Sequence, residues 1–549
     1  MNESVRQQAD QYPEDLNSRS VPPPMTTPGA LGRVSGRHGK ALWAGALAAL
    51  LAIPVLWPLC LPGFFVSDDG RFHVYRIAAL AQAWQQGVLH PRLFPEFGFG
   101  YGQAVLSFYA PLSYWPGALL ALGIGPVAAA KVTVALGFLL AGLAAFGFAR
   151  YLWGPAGGIL AAVAYTYFPY HLADAYLRGA IPEHFAFVWP PLILWAYTAA
   201  FRQEKPLAPF LWGTLAWTAL IFTHNLTAVL MIPVAGLYLL VVAGWTGRWR
   251  RLVPALGTLI LALGMTAPLW LPFLTESYAV GIGLGPSDGY MKHLAPLARF
   301  VQISPLYRYG LERGGAVDHP LSWLTTALFV IVLALLAWRL LRRQRVEAAP
   351  VAGFSLALTA AAAFMVTSAS LPVWLRTAPV LAQLQYPWRF MALANLGVLG
   401  LAGALPALLE GKQGDKETRL MFLGRVSVVV LIGGMFVLQA LPNVPAEPLP
   451  LSDAEVWAPD RMWREDAEAG QVGATWTGEF LPQTVGEQRW ALGRPRPGAT
   501  DGQAPDPFPQ VQLNRVGYLS TELGIRTEDP ITVRLHQFYL PGWEARRAR

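Results

Sequence analysis

Long apolar stretches alternate with short polar ones along most of this chain. A membrane-spanning helix needs about 20 apolar residues, and eleven runs approach that length. They are Ala41–Leu61, Val127–Ala149, Pro155–Tyr170, Glu183–Phe201, Leu207–Thr223, Leu226–Trp245, Leu252–Leu274, Leu321–Trp338, Val351–Ser368, Phe390–Leu409 and Leu420–Leu441. Another stretch, Tyr109–Leu122, is shorter and carries Pro111 and Pro116, which predicts a partly inserted or interfacial helix. Residues 1–40 are polar and rich in Pro, Ser, Arg and Gln, and read as a disordered tail. After Leu441 the pattern changes. Trp476-Thr477-Gly478-Glu479-Phe480 and Ile531-Thr532-Val533-Arg534-Leu535 read as strands of a small β-rich domain over 442–549. Pro541-Gly542-Trp543 reads as a turn, and a sheet ending at Arg549 is incomplete, so that domain is expected to continue.

Charge gives the runs a side. With eleven spans and the N-terminus inside, the compact basic clusters share one face: Arg33, Arg37 and Lys40; Arg150; Arg202 and Lys205; Arg248, Arg250 and Arg251; Arg339, Arg342, Arg343 and Arg345; Lys412, Lys416 and Arg419. Positively charged loops face the cytoplasm. Counting Tyr109–Leu122 as a full span moves the later clusters outside, so parity argues against it. The outer face then holds loops 62–126, 171–182 and 275–320 and the C-terminal domain. The membrane domain covers 41–441.

Composition agrees. The chain has 549 residues, 54% apolar and only 13% charged, against about 25% charged in soluble domains. Mean hydropathy is +0.38. The net charge of +8 does not indicate nucleic acid, because the basic residues sit between spans. Cys60 is the one cysteine, which excludes an intrachain disulfide and a cysteine-based metal site. The polar tail is too long for a signal n-region, and Ala41–Leu61 reads as an uncleaved first span. No P-loop, dinucleotide fingerprint, HExxH or Cys/His metal spacing is present.

The ionisable residues that stand out lie at the outer ends of the spans. The first loop opens Ser67-Asp68-Asp69-Gly70-Arg71-Phe72-His73. A helix starting near Asp69 puts Asp69 and His73 on one face, with Arg76 a turn further on. Such an acid backed by His suits a general base or a metal ligand; on spacing alone, a helix N-cap with solvated loop charges is the better reading. The second loop, from His171 to His184, contains Asp174, Arg178 and Glu183. Asp174 and Arg178 at i, i+4 can pair, and Glu183 after Pro182 favours a helix start. A polar site and a salt-bridged turn fit this loop equally. His224-Asn225 reads as a turn between close spans with Asn as the cap, and as a substrate contact second. Trp388-Arg389 reads as interfacial anchoring, or as an arginine for a lipid phosphate. In the third loop, Glu276, Asp288, Lys292, His293, Arg299 and Arg308 read as mostly solvated.

Taken together, the first-loop acids, the Pro-containing segment Phe108-Tyr109-Ala110-Pro111-Leu112-Ser113-Tyr114-Trp115 and the second-loop acid resemble the GT-C glycosyltransferase superfamily. More narrowly, the chain resembles the bacterial membrane proteins called 6-pyruvoyl-tetrahydropterin synthase-related. The matching stretches are 69–73, 98–102, 176–183, 385–390, Gly478-Glu-Phe-Leu-Pro482 and Tyr539-Leu-Pro-Gly-Trp543. The resemblance implies an all-α polytopic membrane protein of about eleven transmembrane helices, GT-C-like, with the small extracytoplasmic β-rich domain. The resemblance implies the bacterial inner membrane as its location, and the charge pattern a cytoplasmic N-terminus. The implied activity is sugar transfer from a polyprenyl-phosphate carrier to an envelope glycan, lipid or protein at the outer face. The implied catalytic acids are Asp69, Asp68 and Glu183. His73, Arg178, His184, His224 and Arg389 would contact substrate. No cofactor follows from the sequence, and the use of a divalent cation is left open. Two other readings compete: a non-enzymatic protein that binds or moves a glycolipid or envelope polymer, and a membrane anchor for the outer domain.

Overall fold

The apolar runs fold as helices close to their predicted bounds. The computed structural model describes residues 43–98, 100–281, 288–296, 321–344, 346–410, 419–441, 444, 447–458, 479–483, 510–533, 535, 537–539 and 543–546. The chain divides into two units, Met1–Ala44 and Gly45–Arg549. The first contains only Trp43 and Ala44 among the described residues, so the tail expected over 1–40 lies outside them. Every other described residue belongs to the second unit.

Five continuous helical stretches among the described residues are long and apolar enough to cross a membrane, the first of them folded back on itself at Gly154: Pro126–Thr166, Ile181–Arg202, Asn225–Thr246, Trp323–Leu341 and Pro387–Leu408. Two bent pairs raise the number to seven if each is one span: Trp43–Leu51 with Ile53–Cys60, bent by 44°, and Trp249–Met265 with Ala267–Ala279, bent by 65°. Leu207–Thr223 and Ala349–Met365 are apolar but shorter. Arg419–Ala440 fills the last predicted run. The protein is thus a mainly helical, multi-pass membrane protein. Tyr114–Ile124 has only 11 residues, in keeping with the short element expected there.

Pro126–Thr166 is two helices joined without a loop. Gly154 has φ 79° and ψ −178°, a conformation essentially restricted to glycine, and Pro155 starts the second leg. The chain reverses there, so that Gly142 lies against Thr166, and Gly158 against Phe146 and Arg150. This matches the separate runs 127–149 and 155–170. The legs pack on Phe390–Leu408, which is almost wholly buried. Its Gly397, Gly400 and Gly403 meet Thr359, Ser355 and Trp153 at distances that leave no room for a Cβ. Small residues give membrane helices this close approach.

Two expectations change. Segment 62–126, expected as an outer loop with a helix starting near Asp69, is largely packed. It contains a 16-residue helix, Gly70–Gln85, whose residues are mostly buried, as well as the short helix above. In the C-terminal region, the described strands are Pro448–Leu449, paired with Phe64–Phe65, and the hairpin Gln510–Val516/Thr521–Arg526. Trp476-Thr477-Gly478 lies outside the described residues, Glu479 and Phe480 form a turn, and Ile531–Val533 form no strand.

The hairpin tip reaches back to the Gly70–Gln85 helix. Tyr518 Oη lies 3.1 Å from the Ala79 carbonyl and 2.6 Å from Glu96 Oε1. A hydroxyl has one proton for these two acceptors. A neutral Glu96 resolves this by donating to Tyr518, which then donates to Ala79. Burial pushes the Glu96 carboxyl up to about 7, against a Tyr518 bond that pulls it down. The folded state therefore binds the proton more tightly than the unfolded chain. The stabilisation is complete below the unfolded value near 4.5 and is lost as pH rises through about 7. The slope in that window is about 1.4 kcal/mol per pH unit. Thermal unfolding should show wild-type stability falling across it, relative to Glu96→Gln, whose side chain stays neutral.

Candidate functional site

The first and second loops are joined through their backbones. Asp68 N–H donates to Leu177 O (2.9 Å), and Asp69 N–H to Arg178 O (2.6 Å). Gly179 makes this possible. Its φ of 64° is left-handed, and a Cβ there would sit 2.8 Å from Gly70 Cα. Asp69 occupies the N-cap position of the Gly70–Gln85 helix, but its side chain makes no cap hydrogen bond. Its charge reaches Arg76, Arg178 and Asp174 instead. The chain that positions Asp69 is thus the chain that carries Arg178.

Behind Asp69 lies a buried charge cluster. Arg178 Nη1 donates to Glu183 Oε2 (2.9 Å), to Tyr170 Oη (3.2 Å) and to Asp174. Tyr170 donates to Glu183 Oε1 (2.6 Å). Arg389 Nε lies 3.6 Å from Glu183 Oε2, while its Nη1 donates to Leu384 O (2.9 Å). Glu183 is 2% exposed and Asp174 0%; Arg178 and Arg389 each keep 8%. Burial, together with the neighbouring Glu183 charge, pushes the Asp174 carboxyl well above the usual range, and the arginines offset only part of this. Asp174 and Glu183 share Arg178, and Glu183 also faces Arg389, so two arginines meet at one acid beside Asp69. The i, i+4 pairing of Asp174 with Arg178 is present. Arg389 points inward, contrary to surface anchoring, and Trp388 is buried with it, stacked on Tyr386 at 4.2 Å.

A second polar group borders the first. Tyr114 Oη accepts from Arg76 Nη1 (2.7 Å), which directs its own proton to His73 Nδ1 (2.7 Å). Burial, with the Arg76 charge added, holds the His73 imidazole well below its usual range, as this neutral acceptor role requires. His73 Nδ1 therefore serves Tyr114. The Arg76 guanidinium lies 4.6 Å from the centre of the Tyr109 ring, a cation–π contact. His224 is the N-cap of Asn225–Thr246, accepting from Thr227 N–H. The cap is thus His224 and not Asn225. Its ring lies within electrostatic reach of Glu183, Arg389 and Arg178.

The structure therefore gathers Asp69, Glu183, Arg178 and Arg389, with His73 and His224 at the border. Asp68 is exposed to solvent. His184 turns to the other face of its helix, where its Nε2 meets Val134 O (2.9 Å) and its ring packs on Phe138 and His171. Tyr170 carried no sequence signal, and Tyr109 and Tyr114 lie in the Pro-containing segment singled out above without a role of their own. Arg76 had one, its spacing of three from His73 and seven from Asp69 on a helix face. Among the described residues, no three His, Cys, Asp or Glu side chains are placed to hold a metal ion. Glu183 and Asp174 already engage Arg178, a donor set unsuited to a divalent cation.

The family model of the 6-pyruvoyl-tetrahydropterin synthase related domain, described as a membrane protein, matches residues 106–443. That is more than half of the chain. The protein belongs to this family. Its Arg178, Glu183, His224 and Arg389 lie within the matched segment, whereas Asp69, His73 and Arg76 precede it. The 6-pyruvoyl-tetrahydropterin synthase-related chain is also similar to an uncharacterized protein of Lactococcus lactis subsp. cremoris (strain MG1363), 22% identical over 242 residues. The match covers 42% of this chain and 39% of that protein. Among solved structures it is similar to the archaeal oligosaccharyltransferase AglB of Archaeoglobus fulgidus, in complex with an inhibitory peptide and a dolichol-phosphate (TM-score 0.44, 13% identity, 82% of this chain and 62% of that one). It is also similar to ArnT of Cupriavidus metallidurans bound to undecaprenyl phosphate (TM-score 0.39, 15% identity, 72% and 64%). The chain thus spans less than two thirds of the length of each.

Proposed function

We propose that this protein transfers a sugar from a polyprenyl-phosphate carrier to an envelope acceptor, as a GT-C-like enzyme of the bacterial inner membrane. The observation that supports it most is the clamp that holds Asp69 on the Arg178 backbone, 2.6 Å from N to O, beside two arginines sharing one acid. In this reading Asp69 takes the proton of an acceptor hydroxyl. The acceptor oxygen forms its bond to the anomeric carbon, and the bond from that carbon to the phosphate oxygen breaks with its electron pair on the phosphate. The positive charge of Arg178 and Arg389 stabilises that leaving group. Buried between the arginines, Glu183 orients them and is not itself the base; Tyr170 holds Glu183. Asp68 is the nearby substitute acid. His73 and His224 border the substrate, while His184 has a packing role. The basic clusters support an extracytoplasmic site, with eleven spans and a cytoplasmic N-terminus.

The test is binding of undecaprenyl phosphate to the full chain in nanodiscs, followed by native mass spectrometry. Arg389→Gln should weaken retention by roughly tenfold, equivalent to about 1.4 kcal/mol, and phosphatidylglycerol should not compete. Equal retention by wild type and variant would count against the phosphate role.

A further inference from the structure

A cavity of about 170 Å³ lies where the first loop, the end of the Ala267–Ala279 helix and the C-terminal region meet. Its lining includes Arg92, Ser107, Phe108, Glu276, Tyr518 and Trp543. Arg92 and Glu276 form an ion pair across it, and Ser107 Oγ donates to the Arg92 carbonyl (3.1 Å). The walls therefore combine aromatic surface with a charged donor, a charged acceptor and a hydroxyl. This mixture suits a sugar ring. The electron-rich face of an aromatic ring receives the C–H row of a pyranose, and its hydroxyls need paired donors and acceptors. A lipid chain has no use for the ion pair.

One segment ties this cavity to the site around Asp69. Residues 479–483 of the C-terminal region are clamped by Phe480 N–H to Gly281 O (2.6 Å), Gly281 N–H to Leu481 O (2.8 Å) and Gln483 N–H to Ala279 O (3.0 Å). Gln103 adds a bond to the Glu479 carbonyl. Phe480 is held at φ 65°, which costs a non-glycine residue of order 1–3 kcal/mol and marks positions the surroundings over-determine. Its ring stacks on Phe108 (6.0 Å, 5°) and meets Tyr109 edge-on (6.3 Å, 79°). Phe108 lines the cavity, while Tyr109 lies under the Arg76 guanidinium and within electrostatic reach of Asp69 and Glu479. Phe108, Phe480 and Tyr109 thus form a series of ring contacts from the cavity wall to a side chain within electrostatic reach of the candidate base.

We propose that this cavity is a monosaccharide-binding subsite for the acceptor, with Trp543 and Tyr518 as the stacking walls and Arg92 and Glu276 as the hydroxyl partners. The acceptor is then a glycan. This role rests on the transferase reading above, whereas sugar binding itself does not. The experiment is saturation-transfer NMR on the full chain in nanodiscs, with methyl α-D-glucopyranoside, methyl α-D-mannopyranoside and a methyl N-acetylglucosaminide as probes. At least one should receive saturation at its ring C–H protons. Trp543→Ala should reduce the transfer by roughly tenfold, Trp543→Phe should restore most of it, and Glu276→Gln should weaken it. No transfer to any probe, transfer unaffected by Trp543→Ala, or displacement only by an aromatic peptide each overturns the proposal. Sugar binding without undecaprenyl phosphate binding would keep the subsite and remove its acceptor role.

Discussion

Asp69→Asn should lower sugar transfer by on the order of 10²–10⁴, the range that general-base catalysis supplies, while leaving undecaprenyl phosphate binding and thermal unfolding close to wild type. The structural basis is specific. The Asp69 side chain caps no helix, so replacing its carboxylate with an amide removes no cap bond. Its backbone bond to Arg178 O is untouched by the substitution. Loss of turnover with retained fold and donor binding would place the proton acceptor at this residue. Full activity in the variant would overturn that role, and measuring Asp68→Asn in parallel would show whether the exposed neighbour carries it instead.

Arg178→Met should be the most destabilising substitution in the cluster. It leaves Glu183 without its closest cation and Asp174 without its charged partner, both in a buried setting. Breaking one side of a buried ion pair costs about 3–5 kcal/mol, whereas removing both sides together is often nearly neutral. The triple variant Arg178→Met/Asp174→Asn/Glu183→Gln should therefore recover part of the lost stability in thermal unfolding. Recovery of stability without recovery of lipid-phosphate binding would separate the two contributions of Arg178. A single variant as stable as wild type would show that the cluster is not the anchor its geometry implies.

The apolar helices were legible from run length, though of the eleven expected spans only five to seven are long and apolar enough to cross a membrane among the described residues, and the Gly154-Pro155 reversal was visible as a break between two runs. The helix starting near Asp69 was legible as a start, but not its 16-residue length or its burial. Its sequence mixes Arg71, His73, Arg76 and Gln82 with apolar residues, and reads as solvated until the partners of those polar groups are known. Arg389 shows the same limit. A Trp–Arg pair at a span end suggests an interface, and only the fold brings Glu183 from a distant segment to meet it. Glu183 and His184 are adjacent in sequence, yet one enters the charge cluster and the other packs on Phe138. Sequence proximity does not decide which side of a short helix faces the site. The roles of the tyrosines were hidden for another reason. Tyr is common near membrane surfaces, so a Tyr that orders a carboxylate looks like one that merely sits there.

The reversal at Gly154 limits what can vary between the two legs. With φ 79° and ψ −178° the turn uses a conformation essentially restricted to glycine, and no loop residue stands by to absorb a different one. Space is not the obstacle, since a Cβ at position 154 would meet nothing within 4 Å. A substitution there would instead be felt along the legs, where Gly142 meets Thr166 and Gly158 meets Phe146 and Arg150.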